Sequence, residues 1–183
     1  FITLGTGVGG GLLINKALYR GAYSLAGEIG HVSIDRNGIV SPTGRGGVEQ
    51  YVGNKRIVER ALQALDAGRT SRILEFAGGR REDITPKVIS AAAAAGDELA
   101  GEIFDFVADC LATMMASVAY LLQPQAFIIG GGIAAAGPVL FDPLRRHLNE
   151  RLSPYFAERL VIKRAELGND AGVIGAATLT FLE

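Results

Sequence analysis

The chain has 183 residues, 49% of them hydrophobic and 20% charged, with a formal net charge of -1. That length and apolar content suffice for one well-buried domain or two small ones, and the near-neutral balance excludes a global attraction to nucleic acid or to an acidic membrane, favouring a small ligand held at a local site. A lone cysteine, Cys110, rules out an intrachain disulfide framework, points to a reducing cytoplasm and reads as core.

Phe1-Ile2-Thr3-Leu4 opens as a strand in progress, without an initiator methionine or the basic-then-apolar pattern of a secretory signal. The expectation is a fragment or processed product whose upstream sequence matters. Gly11 to Ile14 and Ala17 to Tyr19 read as strands joined by a turn at Asn15-Lys16, with a further strand from His31 to Ile34. Gly38 to Gly47 shifts to Gly, Pro, Ser, Thr and Arg, which is loop chemistry. From Val48, the residues Val52, Ile57, Val58, Leu62 and Leu65 recur at helical spacing, and Gly68 marks the stop. Ala77-Gly78-Gly79-Arg80-Arg81 predicts an exposed connection. Thr85 then caps, and Pro86 opens, a helix running to Ala95.

Asp97 caps the next helix, whose apolar stripe of Ile103, Val107, Cys110, Met114, Val118 and Leu121 predicts the central buried element. No charged residue falls between Cys110 and Phe141, yet Gln123-Pro124-Gln125 and Gly130-Gly131-Gly132 interrupt that run. The stretch from Cys110 to Leu122 is too short to span a bilayer. Ala126 to Ile129 reads as a short buried strand, Pro138 to Leu152 as a helix with His147 on its solvated face, Leu160 to Ile162 as a strand, and Ala171 to Phe181 as a final helix. Hairpin strands, then helices, then strand, helix, strand, helix predict an α/β fold with a mixed sheet flanked by helices.

Gly5, Gly7 and Gly10 have the G-x-G-x-x-G spacing of a dinucleotide fingerprint. That motif requires a helix to begin at the glycines, whereas Leu12-Leu13-Ile14-Asn15-Lys16-Ala17-Leu18-Tyr19 suits a β-hairpin. No Gly-Lys-Ser/Thr follows, so a P-loop is excluded too. Glycines in a strand-to-strand turn still let backbone N–H groups approach an anion, and Thr6 adds a hydroxyl; equally, such a turn can serve only to relieve steric strain.

Leu4-Gly5-Thr6-Gly7-Val8-Gly9-Gly10-Gly11, continuing through Leu18-Tyr19-Arg20-Gly21-Ala22 to Ala26-Gly27-Glu28-Ile29-Gly30-His31, resembles the signature of the ROK (repressor, open reading frame, kinase) family of sugar kinases and repressors. Ile128-Ile129-Gly130-Gly131-Gly132-Ile133 and the closing Leu167-Gly168-Asn169-Asp170-Ala171-Gly172-Val173-Ile174-Gly175-Ala176-Ala177 resemble that family in order and distance. The resemblance implies an actin-like ATPase, ribonuclease-H-like fold, with residues 1–183 as the single carboxy-terminal, larger lobe of a two-lobe kinase and the last helix, about 171–183, packing against the other lobe. It implies that Gly5, Thr6 and Gly7 meet the ATP phosphates and that Gly131 and Gly132 lie against the adenosine.

Glu28, His31 and Glu49 offer carboxylate acceptors and an imidazole able to read hydroxyl stereochemistry; a surface ion-pair set is the plainer reading of the same residues. In ROK kinases the matching Glu, His and Glu hold the sugar, so the resemblance favours substrate binding. Many members carry zinc-binding cysteines between the His and the second Glu. Here that stretch is Ser41-Pro42-Thr43-Gly44-Arg45-Gly46-Gly47, and His31 alone cannot complete a site needing about four ligands. No metal site is expected, and the loop must be held by turns and packing.

Asn169-Asp170-Ala171 resembles the segment carrying the family's general base, but its flanks match the closing motif, so Asp170 reads as a helix N-cap. No catalytic residue is assigned to this chain; the base is expected upstream of Phe1, and the isolated chain is expected to be inactive. The resemblance implies ATP- and Mg2+-dependent phosphorylation of a glucose-like hexose at its 6-hydroxyl by a cytoplasmic homodimer without membrane or nucleic-acid partners. The alternatives are a sugar-sensing repressor whose DNA-binding segment lies upstream, and a non-catalytic oligomerisation lobe.

Overall fold

The computed structural model describes residues 1–180. Strand β1 (Ile2–Leu4) pairs antiparallel with β2 (Val8–Gly10), Thr3 facing Gly9, through a turn at Gly5-Thr6-Gly7. β3 (Leu13–Ile14) and β4 (Ala17–Leu18) form a separate hairpin, with Asn15 and Lys16 at φ 54° and 66°, the positive pair a type I′ turn demands. The strand expected from Gly11 to Ile14 is thus confined to its last two residues, and the chain just before it belongs to β2. The strand expected from His31 to Ile34 is replaced by a 3-10 turn over Ile29–His31 and one isolated bridge, Ser33 to Gly47. The cause is tertiary: Gly30 lies so close to Val8 that a Cβ there would overlap the Val8 carbonyl oxygen.

Within the anticipated loop, β5 (Val40–Ser41) and β6 (Gly44–Arg45) make a small hairpin. Ser41 Oγ lies 3.0 Å from Thr43 Oγ1 and donates to the Gly44 carbonyl at 3.1 Å. The Tyr51 hydroxyl accepts from the Ile39 N–H and donates to Asp35, each at 3.2 Å. Turns and packing therefore hold this segment.

The helix expected from Val48 is two helices, α1 (Glu49–Val52) and α2 (Asn54–Asp66), broken where Gly53 is extended (φ -65°, ψ 153°). Next come α3 (Ile73–Phe76), a short helix with no signal in the sequence, α4 (Pro86–Ala94), α5 (Glu98–Leu122), β7 (Ala126–Gly130), α6 (Pro138–Arg151), α7 (Pro154–Ala157), β8 (Val161–Arg164) and α8 (Ala171–Leu179). Thr85 Oγ1 accepts from the Val88 N–H at 3.3 Å, as a cap should. Asp97 Oδ1 accepts from the Ala100 N–H at 2.8 Å, capping α5, and its carboxylate also takes the Ser71 hydroxyl and the Arg72 N–H, tying α3 to α5.

β1 sits between β2 and β7, parallel to β7, which is parallel in turn to β8. The sheet is mixed, as expected. α5 is long and apolar enough, by length and composition, to cross a membrane, but its Ile103, Val107, Cys110 and Met114 are buried, and it packs on α6, α4 and α2. The stripe ends at Ala119; Leu121, expected on it, is 80% exposed, and Gln123 in a left-handed conformation (φ 45°) ends the helix before β7.

Two more expectations are corrected. His147 is not solvated: its side chain is 13% exposed, with Nε2 3.2 Å from Asp105 and Nδ1 3.4 Å from Asp109 and 3.3 Å from Glu150. Arg146 and Arg151 pair with those same two aspartates, so α6 must turn its polar edge onto α5 rather than to water. Asp170 precedes α8 in a helical conformation and makes no side-chain cap; a 3-10 turn over Gly168–Asp170 already leads into the helix. The expected end of α8 at Phe181, and of the region about 171–183, lies outside the described residues.

Candidate functional site

The parallel pairing of β1 with β7, Thr3 beside Gly130, brings the ends of both strands to one edge of the sheet. Loops beyond the carboxyl ends of parallel strands are where α/β folds place ligands. Gly5-Thr6-Gly7 leaves β1 there and Gly131-Gly132 leaves β7. Gly131 has φ 85°, and a Cβ on it would overlap the Leu4 carbonyl oxygen and stand 2.7 Å from the Leu4 nitrogen. Its glycine identity therefore has a packing cause, independent of any ligand. Gly132 faces open space.

The first turn is held from behind by the start of α1 and α2. Gly5 donates its N–H to the Gly7 carbonyl at 3.0 Å and accepts from the Asn54 N–H at 2.9 Å. The Val8 N–H donates to Glu49 Oε2 at 3.0 Å. Among the described residues the Thr6 and Gly7 N–H groups have no protein acceptor, which leaves two adjacent backbone donors for an anion.

Glu28 precedes the 3-10 turn and His31 is its last residue, with His31 Nδ1 4.0 Å from Glu28 Oε2. The turn packs on β2 through Gly30 and Val8, and Gly47 packs against Gly30 and His31. Two residues later Glu49 reaches the glycine turn. One continuous set of contacts thus runs from Glu28 and His31 through β2 to Glu49 and the turn, uniting residues that lie 21 positions apart from Glu28 to Glu49.

A cavity of about 480 Å³ opens beside Gly130, Gly131 and Gly132, bounded at one end by Asn54, which is bonded to Gly5, and elsewhere by the first turn of α4 and by Arg164 and Gly168. The ROK family model matches residues 1–181. The chain belongs to the ROK family. It is 34% identical over 178 residues to a glucokinase of Thermotoga maritima and 35% identical over 182 residues to one of Streptomyces coelicolor, covering 97% of this chain and 56% and 57% of theirs. The chain therefore spans about half the length of these curated relatives. A ROK family glucokinase from Streptomyces griseus, in complex with glucose and AMPPNP, superposes with a TM-score of 0.86 at 35% identity, covering 97% of this chain and 58% of that one. A ROK family transcriptional regulator superposes with a TM-score of 0.79 at 27% identity, covering 89% of this chain and 40% of the other. The mixed sheet flanked by helices is accordingly the actin-like fold of ROK sugar kinases.

Sequence reasoning missed Asn54, Lys87 and Arg164 as cavity residues. Thr85-Pro86 was legible as a helix start, but nothing in the sequence placed that start opposite Gly132. Cys110 is buried in α5, which pushes its thiol up to about 12, so it is not a nucleophile at neutral pH.

Proposed function

We propose that the whole protein transfers the γ-phosphoryl group of ATP to the 6-hydroxyl of a glucose-like hexose, and that this chain is its carboxy-terminal, larger lobe. The observation that carries the reading is the Glu49 bond to Val8 at 3.0 Å, which fixes a sugar-side carboxylate to the glycine turn on the nucleotide side. The identities to two glucokinases, and the glucose and AMPPNP bound by the superposed S. griseus enzyme, support it.

In this reading Glu28, His31 and Glu49 hold the sugar. The free N–H groups of Thr6 and Gly7, with the Thr6 hydroxyl, face the phosphates, and Gly131 and Gly132 lie against the adenosine. The hexose oxygen bonds to the γ-phosphorus, the bond from that phosphorus to the bridging oxygen breaks, ADP leaves, and the hydroxyl proton passes to a carboxylate upstream of Phe1. The chain works by positioning and by backbone donors at the developing charge. Mg2+ is assigned to the ATP phosphates, where it would neutralise their charge. The exposed Val173 and Ile174 of α8 are assigned to contact with the amino-terminal lobe, and the protein to a cytoplasmic homodimer.

The test is hexose-dependent ADP release by the whole protein, with the product's phosphate position read by NMR. Glucose turnover with a 6-phosphate product is expected; Glu28→Gln and His31→Asn should raise the hexose KM roughly 10-fold or more, as for lost hydrogen bonds of about 1.4 kcal/mol or more. The similarity to the regulator supports a second reading, a sugar-sensing repressor. Hexose binding without ADP release, together with specific DNA binding, would establish that one instead.

A further inference from the structure

The cavity beside Gly130, Gly131 and Gly132 has two cationic side chains in its wall, Lys87 and Arg164, and no acidic one. They come from different elements: Lys87 from the first turn of α4, Arg164 from the last residue of β8. Neither is in an ion pair with a carboxylate among the described residues, whereas other arginines of the chain, such as Arg69, Arg72 and Arg145, are paired.

The backbone carrying each is fixed by hydrogen bonds. Lys87 lies between the Thr85 cap on Val88 and the Ser90 hydroxyl, which donates to the Lys87 carbonyl at 2.9 Å. Arg164 is in register with Ile129 of β7, and the next residue, Ala165, donates its N–H to the Ile129 carbonyl at 2.8 Å. Two unpaired cations on fixed backbone, around a glycine floor with room for a nucleotide, form a local positive field in a chain whose net charge is -1.

We propose that Lys87 and Arg164 form a two-sided clamp that draws in and positions the polyanionic nucleotide donor. This rests on the kinase reading above and adds two affinity-determining residues to it. The clamp acts on the nucleotide and not on the hexose.

The experiment uses the whole protein with ATP and glucose, and separately with the non-hydrolysable analogue AMPPNP in a calorimetric titration at two salt concentrations. Lys87→Met and Arg164→Met are each expected to weaken AMPPNP binding about 5-fold, and the double variant at least 10-fold. The loss should fall on the KM for ATP and leave the KM for glucose within about 2-fold. The salt dependence of AMPPNP affinity should flatten in the double variant, because screening acts on the charges removed, and Lys87→Arg should restore affinity. A purely structural role would not flatten the salt dependence or be rescued by charge alone.

Unchanged AMPPNP affinity in the double variant, or an unchanged salt dependence, overturns the clamp. If the wild-type protein binds AMPPNP but turns over no hexose, the kinase reading fails while the titration still decides the clamp. No AMPPNP binding by the wild-type protein refutes both.

Discussion

Replacing Gly7 by alanine tests whether the sugar-side carboxylate and the glycine turn are one unit. A Cβ there would overlap Oε2 of Glu49 and stand 3.0 Å from its Cδ, and the three atoms nearest to it all belong to Glu49. The carboxylate ends a flexible side chain, so it can swing aside at little steric cost. It would then abandon the Val8 N–H it accepts at 3.0 Å in a part-buried setting. Losing a hydrogen bond to a charged acceptor costs about 1.5–3 kcal/mol, and alanine returns about 0.4–1 kcal/mol through the unfolded chain. The net expectation is a loss of roughly 0.5–2.5 kcal/mol. Glu49→Ala should cost a similar amount, since it removes the same bond. In the double variant the overlap with the Glu49 carboxylate is gone, and the bond can be lost only once. Thermal unfolding of the four proteins, followed by circular dichroism, should therefore show Gly7→Ala/Glu49→Ala no less stable than Glu49→Ala alone, with a coupling energy equal to the bond lost, about 1.5–3 kcal/mol. Strict additivity would refute the contact. On the proposed kinase reading, Gly7→Ala should also raise the hexose KM, although Gly7 is assigned to the phosphates.

Burial disfavours the Asp97 carboxylate, but hydrogen bonds from Arg72, Ala100 and Ser71 outweigh it and hold its carboxyl below 3.8. Its contribution is therefore complete above that value and lost as pH falls through the lower folded value, so Asp97→Asn should cost about 2–4 kcal/mol at pH 7 and flatten the loss of stability measured below about pH 4. His147→Ala, expected to be harmless for a solvated residue, should lower stability by roughly 1–2 kcal/mol in urea unfolding; no change would show that the α5–α6 ion network does not need the imidazole. Cys110 should resist a thiol reagent at pH 8 in the folded protein and react fully in denaturant, its thiol being pushed up to about 12 by burial; rapid native labelling would contradict the packing of α5. Because turns and the Tyr51 bonds hold the segment 38–47, chelation should leave the unfolding temperature unchanged, and stoichiometric zinc in the purified protein would contradict that account.

Much of the layout is local and so was legible in the sequence. Thr85 and Asp97 cap helices because their side chains satisfy N–H groups three residues on, and Asn15-Lys16 turns a hairpin because the chain can take positive φ there. The two glycine clusters and the Glu28, His31 and Glu49 set were visible as patterns with two uses each, phosphate turn or strain relief, sugar ligands or surface ion pairs. The tertiary structure alone decided the rest. It placed Gly131 against Leu4, broke the helix at Gly53 so that Asn54 could reach Gly5, turned His147 into the α5–α6 interface, and brought Lys87 and Arg164 to one cavity. Each depends on contacts between segments distant in sequence, whose geometry is set by how the sheet and helices pack and leaves no local periodicity to read.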